Sequence, residues 1–441
     1  AVGAPVPVGS RDADEPQAQD QERSRNEVPA GSPEAARPGA VEIDGAGQRG
    51  IPFLPSVPAP AAAAQGTTLD LAVMSLVRTQ TIGGTDGGNV WGTDVEITPG
   101  VGLQTRLPTL GLAAAYGARF SIPINAAGAE VAVLQRGYLR ADWKIDPLWL
   151  LSVDASGTYG QYSQLVPVAT PGGAGGPPPA LNPIRSFTTY PYLSLAGALR
   201  LEAQLATRSR LRVSAGYVDV GGIGDEGAAA QPRTWGPLAS AAFEWDASPF
   251  ATLTTSAAYQ DSILVGNLAV QIGTLTETWR QQWTPDVETT VSAGAAITST
   301  DSATFLTFSH LLPVASAGIG YHTDVRHTLK LGLDVALAPF VDTYLRTAYQ
   351  RVTGRLGVDW RPDPALLLGL YVAAALVPYT AGTPDAYGTA GASIAWAPGK
   401  IVTFNLGGFS QSQIQGAAAT AGAFRQWTAY FSVTLRDILS L

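Results

Sequence analysis

Arginine is the residue type with the most chemistry to offer in this chain. Arg106, Arg119, Arg136 and Arg140 fall on three successive strand-like stretches, all on the polar side of an alternating pattern. Four guanidiniums on one face form a basic ladder suited to an anionic solute. Glu96, Glu130 and Asp142 share that face, so the same arginines can equally be spent on ion pairs within the wall. Arg351 and Arg355 with Asp359 carry the same two readings, and Asp154 and Asp334 are further acids of that parity. Tyr138 and Tyr371, with Tyr190, Tyr192, Tyr387 and Tyr430, also lie on the polar side. Their rings could stack on sugars or simply fill space in a wall.

Other chemistry is thinly supplied. The three histidines are His310, His322 and His327; the last two flank a turn holding Asp324, where a solvated turn is a simpler reading than a metal site. The absence of Cys removes thiolate nucleophiles and thiolate metal sites, and it suits a periplasm-facing or surface protein. No serine–histidine pairing is identifiable, and Gly83–Gly88 reads as a loop tip. No catalytic residue, metal or cofactor is therefore assigned. A formal net charge of -8 argues against nucleic acid as a partner.

The elements that must hold these residues are strands. Trp143, Trp245, Trp283, Tyr321, Trp360 and Trp396 each stand just before a short turn, and the last four steps between them are 38, 38, 39 and 36 residues. A long strand enters each turn and another leaves it. From Thr67 onward the apolar period is two. Leu329, Leu331, Leu333, Val335 and Leu337 oppose Lys330, Gly332, Asp334 and Ala336, for example. The apolar run from Ala365 to Val377 is stopped by Pro364 and Pro378, too short for a spanning helix, and no helix is expected anywhere. The stretch 268–283 breaks the rule, because Trp279 and Trp283 share parity with Glu277; a bulge between 273 and 278 is the expected remedy.

Short turns alternate with long, Gly- and Pro-rich connections, above all Ser163 to Ser186. A β-propeller also repeats near this length, but its blades hold four short strands rather than two long ones. Long alternating strands with one apolar face satisfy their backbone in lipid only by closing. The expected fold is all-β, a transmembrane antiparallel up-and-down β-barrel of about eighteen strands (range roughly 16–18), occupying residues 66–441. Residues 1–65 mix Pro, Ala, Gly and charge without periodicity and are expected to be a disordered periplasmic tail. The Ala at position 1 reads as a mature terminus after export. Turned inward, Arg106, Arg119, Glu130, Arg136, Tyr138, Arg140, Asp154, Asp334, Arg351, Arg355, Asp359 and Tyr371 become pore-lining candidates. Positive and negative signs nearly balance on this face, which argues against a strongly ion-selective pore. The pre-turn aromatics become a periplasmic girdle.

The region from 67 to 441 resembles a bacterial outer-membrane β-barrel of porin-like size. Its last strand, Phe424-Arg-Gln-Trp-Thr-Ala-Tyr-Phe-Ser-Val-Thr-Leu435, is similar to the C-terminal strand read by the barrel-assembly machinery, although the chain continues Arg-Asp-Ile-Leu-Ser-Leu441. The resemblance implies contact with outer-membrane lipid and lipopolysaccharide, periplasmic turns and termini, and long extracellular loops. It extends to sugar porins and to barrels that release exopolysaccharide beside a periplasmic partner. The apolar island Ile51, Phe53, Leu54 and Val57 is the expected docking segment for such a partner, which tips the reading toward export. The reading from a different class is a structural or adhesive barrel whose loops bind an external partner without transport.

Overall fold

The hairpins are made locally, at the turns. Four turns place Pro after a side chain bearing an oxygen: Asp146-Pro147, Ser248-Pro249, Thr284-Pro285 and Asp363-Pro364. The Asp146 carboxylate accepts the N–H groups of Leu148 at 2.7 Å and Trp149 at 2.9 Å. Ser248 Oγ accepts from Phe250 at 3.1 Å, Thr284 Oγ1 from Val287 at 3.1 Å, and Asp363 Oδ1 from Ala365 at 2.8 Å. Pro sets φ, and the side-chain oxygen mimics a backbone acceptor, so each reversal is specified by two residues.

The computed structural model describes residues 66–83, 90–124, 130–169, 181–264, 268–302, 305–323, 328–342, 347–377, 385–415 and 425–440. Among them are eighteen strands: β1 (Gly66–Gly83), β2 (Val90–Arg106), β3 (Leu110–Pro123), β4 (Ala132–Asp146), β5 (Trp149–Ala169), β6 (Leu181–Ala206), β7 (Ser209–Gly222), β8 (Thr234–Ser248), β9 (Ala251–Leu264), β10 (Leu268–Thr284), β11 (Val287–Ser302), β12 (Phe305–His322), β13 (Thr328–Asp342), β14 (Thr347–Asp363), β15 (Leu366–Val377), β16 (Asp385–Trp396), β17 (Val402–Gln415) and β18 (Arg425–Ser440). Each pairs antiparallel with the next. β1 pairs with β18 from Thr68↔Ser440 to Gly83↔Arg425, which closes the sheet into a barrel. The expected all-β barrel of eighteen strands is the architecture found. The residues by which the chain continues past Leu435 pair with β1 as far as Ser440. The tail, with Ile51, Phe53, Leu54 and Val57, lies outside the described residues, as do Asp324 and His327.

Alternation gives the wall two faces. Leu71, Val73 and Val77 of β1, Leu331, Leu333 and Val335 of β13, and Leu370 and Val372 of β15 are all exposed on the outer face. Soluble proteins seldom expose apolar patches beyond a few hundred Å², whereas this surface runs round the whole barrel, as lipid contact requires. Trp143, Trp245, Trp283, Trp360 and Trp396 are exposed near the turns, and Tyr321 is half-buried there. A second aromatic row lies nearer the loop ends, at Trp91, Tyr159, Tyr217, Tyr259 and Trp427.

Four details differ from the pattern read in the sequence. β10 has no bulge between 273 and 278: its register with β9 and β11 is continuous there, and the only shift lies between Gln282 and Thr284. Val270 and Ile272 instead face inward, packed with Leu264, Ala296 and Val341. Glu277 stays on the outer face, accepting a hydrogen bond from Thr255 Oγ1 at 2.7 Å. The connection Ser163 to Ser186 is partly strand, because β5 and β6 pair as far as Ala169↔Leu181. A helix, α1 (Gly224–Ala230), occupies the connection between β7 and β8, where none was expected. Glu130 lies before β4, exposed and outside any strand.

Among the described residues, the wall has a long gap in pairing between β12 and β13. β12 and β13 pair only from Ala315↔Leu337 to His322↔Lys330. Continuing that register would set Pro313 opposite Pro339, and neither has an N–H to give. The carbonyl of Pro313 accepts from Gln350 Nε2 of β14 at 2.7 Å instead. Past this point β13 and β14 reach β11 directly, and Val341 joins the inner apolar cluster. The prolines thus release the loop-side end of this hairpin from β12 and let it lean inward. The variant Pro313→Val/Pro339→Val regains two donors. At about 1 kcal/mol per hydrogen bond, amide exchange over 311–314 and 338–341 is expected to slow roughly fivefold. Unchanged exchange there would contradict the proline account.

Candidate functional site

The inner face of β3 is nearly bare. Gly111, Ala113, Ala115 and Gly117 point inward in succession, between longer residues on both neighbours. On one side β4 presents Arg136, Tyr138, Arg140 and Asp142, with Lys144 at the turn; on the other β1 and β2 present Asp70, Gln104 and Arg106. Small floor and tall sides make a groove of about 960 Å³ on the turn side of the barrel. Its lining holds four cations, Arg106, Arg136, Arg140 and Lys144, and two carboxylates, Asp70 and Asp142. Both carboxylates are engaged. Asp70 receives Nε and Nη2 of Arg436 across the barrel closure, at 2.9 and 2.5 Å. Asp142 receives Arg140 Nε at 2.9 Å and Ser152 Oγ at 2.7 Å.

Further along β3 toward the loop side, the floor ends at Arg119 and Ser121, and the inner face becomes covered. Arg78 donates to both oxygens of Asp94, from Nε at 3.1 Å and Nη2 at 2.8 Å, and its Nη2 also lies 2.9 Å from Glu96. Arg119 closes on the same oxygen of Glu96. Asp94 is fully buried, and the Arg78 and Arg119 side chains are 10 % and 7 % exposed, against 47 % for Arg140 in the groove. The Arg119 guanidinium lies 5.7 Å from the Tyr162 ring centre, and Tyr162 in turn packs on Tyr190 and Tyr192. Tyr190 donates to Gln231 Oε1 at 3.2 Å, which ties the cluster to the residue after α1. Two cations and two carboxylates thus cancel within one buried knot. The same change from open to covered occurs elsewhere on the inner wall: Gln80, Thr234, Gln260, Ser262, Thr298 and Thr428 are buried toward the loop side.

The four-arginine ladder is therefore divided. Arg106, Arg136 and Arg140 share the groove with Tyr138, whereas Arg119 belongs to the buried knot. Ion pairing within the wall accounts for Arg119 with Glu96 and Arg140 with Asp142, but Glu130 takes no place in it. Asp154 pairs with Arg200 at 3.2 Å. Asp334 stands opposite Arg355, and Asp359 opposite Lys330, on the distant β13–β14 stretch of wall. Arg351 lies 4.4 Å from the Phe340 ring centre. Tyr371 and Tyr430 lie over Gly391 and Gly407 of the neighbouring strands, where any Cβ would strike the ring. Their rings are packed along the wall.

Some of these residues were not singled out from the sequence. Asp94 and Tyr162 both fall at the margins of the strands read from the sequence, one near a start and the other at an end. The inner parity of both was readable, but their burial depends on what covers the wall. Gln231 gives no sequence signal at all.

Removing one member of a buried charge set leaves its partner uncompensated, at about 3–5 kcal/mol. Arg119→Met is expected to destabilise the folded barrel by about 3 kcal/mol or more, read as the urea midpoint in lipid. Adding Glu96→Leu should restore most of that loss, since Arg78 and Asp94 still balance. A double variant as unstable as the single one would mean that Glu96 is not the partner that matters.

The chain is similar to several solved structures and matches one family model. By structure the chain is similar to OccAB4 of Acinetobacter baumannii (11 % identity, 86 % of this chain and 100 % of that one, TM-score 0.45). It is similar also to the outer-membrane protein OpdK of Pseudomonas aeruginosa (11 % identity, 84 % and 99 %, TM-score 0.44). A third is the ferric enterobactin receptor PfeA of the same species (10 % identity, 85 % and 81 %, TM-score 0.47). A comparison with curated proteins returns no match. One family model covers residues 61–438, almost the whole described barrel. The chain is an outer-membrane channel protein and belongs to the EpsX exopolysaccharide export family.

Proposed function

We propose that the barrel passes a saccharide polymer out of the cell, entering at the turn side and leaving at the loop side. Membership of an exopolysaccharide export family, matched over residues 61–438, carries this reading. The groove over β3 supports it, since it offers a polar, open stretch of inner wall about 960 Å³ in volume. In this reading the turns and both ends of the chain face the periplasm, the Trp143 to Trp396 row sits at the periplasmic interface, and lipid with lipopolysaccharide meets the outer face. The barrel-assembly machinery reads β18 during insertion. The open part of the wall, with Arg106, Arg136, Tyr138, Arg140 and Asp154, lines the entrance. Arg119 marks the covered half, and Asp334, Arg351, Arg355 and Asp359 line the opposite stretch, where Tyr371 contributes a packed surface. The tail docks a periplasmic partner through Ile51, Phe53, Leu54 and Val57.

Planar bilayers test the channel, and a truncation tests the tail. The full chain is expected to give low conductance, because the loop-side wall is covered. Shortening the β13–β14 hairpin at its loop end should raise the conductance to a stable, ohmic level. Silence in both proteins would remove the transport reading and leave an adhesive barrel. Deleting residues 1–65 should leave conductance nearly unchanged while abolishing capture of the periplasmic export partner. A large rise in conductance would instead make the tail a plug.

A further inference from the structure

The loop-side end of the β13–β14 hairpin is built as a flap. Pairing within it is unbroken as far as Asp342↔Thr347. Pairing with the rest of the wall stops on both flanks, at Ala315↔Leu337 with β12 and at Val352↔Leu376 with β15. Leu337 and Val352 face each other across the hairpin, so the two stops lie on one line that runs straight through both strands. Proline marks each released edge. Pro313 and Pro339 stand on the β12 side, and Pro378 follows β15 directly in the sequence on the other. Residues 338–342 and 347–351 thus form one ribbon whose backbone joins the barrel, among the described residues, only through that line.

The two faces of the ribbon say where it rests. Alternation puts Pro339, Val341, Ala348 and Gln350 on the face that Leu333 and Val335 turn to lipid lower down the same strand. Val341 does not meet lipid. It is 6 % exposed and packs with Leu264, Val270, Ile272 and Ala296, inward-facing residues that are at most 1 % exposed, with Val314 of β12 against the same cluster. Gln350 Nε2 holds the Pro313 carbonyl at 2.7 Å. The lipid-parity face of the ribbon therefore lies on the inner wall of β9 to β11. That face has a second place to be buried, against lipid, if the ribbon stands upright in the wall. Continuing the register of the paired stretch would then set Val341 opposite Leu311 of β12. Leu311 is 73 % exposed on the outer face, on the other side of the wall from Val341.

We propose that this ribbon is the channel's gate. Seated on Val270 and Ile272 it closes the loop side; swung about the Leu337–Val352 line into the gap between β12 and β15, it opens that side. The proposal rests on the transport reading. The ribbon's own apolar face is buried in either position, and two terms favour the seat. Upright, the prolines supply no N–H, so carbonyls along that edge are left unpaired in lipid. Opening also uncovers Leu264, Val270, Ile272 and Ala296 to the lumen. The channel is therefore shut at rest.

Since there is no native cysteine, two cross-links distinguish the positions in the full chain in liposomes. In Leu311→Cys/Val341→Cys the thiols lie on opposite faces of the wall when the ribbon is seated. Upright, their Cα atoms are about 5 Å apart, the spacing of directly opposed antiparallel residues. Ala296→Cys/Val341→Cys joins the ribbon to its seat. Under mild oxidation both links should form, read as gel shifts of the folded barrel that dithiothreitol reverses. In planar bilayers the first should hold the channel open and the second should hold it shut. Val341→Asp, its folding checked by heat-modifiable migration, should raise the open-to-closed ratio about tenfold or more, the scale of one buried aliphatic side chain. No link between positions 311 and 341, equal conductance of the two linked forms, or an unmoved ratio in Val341→Asp would overturn the gate. Both links with silence throughout would count against the transport reading and uphold the two-position ribbon.

Discussion

A chain that crosses lipid must pair every backbone N–H and C=O within itself, and the rest of this structure follows from that demand. A single helix can meet it, but among the described residues no helix is long and apolar enough to span. Strands meet it only as a closed ring, so β1 must find β18, and it does along nearly its whole length. Met74 and Leu76 pack with Tyr430 on the inner side of that closure, and Asp70 with Arg436 adds a charged clasp. Neither contact is local in sequence. The ring therefore becomes stable only when the last strand arrives, which is slow and cooperative by the logic of loop closure.

Closure also dictates the chemistry of the inside. Because side chains alternate across the wall, each apolar residue given to lipid commits its neighbours to the interior. Small residues on one strand then leave a trench between the taller residues of its neighbours, which is how β3 makes the groove. The long departure from complete pairing among the described residues, at Pro313 and Pro339, is encoded by residues that cannot donate, and the hairpin beyond it leans toward the inner cluster around Val270 and Ile272. The barrel is thus open on its inner wall at the turn side and covered toward the loops, with the neutral knot of Arg78, Asp94, Glu96 and Arg119 at the boundary.

The architecture was legible because it repeats. Period-two alternation, turns with Pro behind an Asp, Ser or Thr, and aromatics at one height gave the strands, their pairing order and the two faces. The site was legible only in part. Parity put Arg106, Arg119, Arg136 and Arg140 on one side of the wall, yet it could not separate Arg119 from the others, because depth along a strand does not show in alternation. Glu130 was assigned to a strand that begins two residues later. At β10 the pattern misled: Val270 and Ile272 are apolar because they pack inside the barrel, not because they meet lipid. Glu277 remains outside, its carboxylate sharing a hydrogen bond with Thr255. A facing rule built on polarity fails wherever the inner wall is itself packed.

Since the chain has no native cysteine, single-cysteine labelling addresses the central claim directly. That claim is a wall with strict facing, open to water over β3 on the turn side and covered toward the loops. With the barrel in liposomes, a charged, membrane-impermeant thiol reagent should modify Ala113→Cys and Ala115→Cys quickly. Ala114→Cys on the outer face should react only with a lipid-soluble reagent, and Ser121→Cys and Thr428→Cys should be protected from both until the protein is unfolded. Equal labelling of positions 114 and 115, or rapid labelling of 121 and 428 by the charged reagent, would contradict the account.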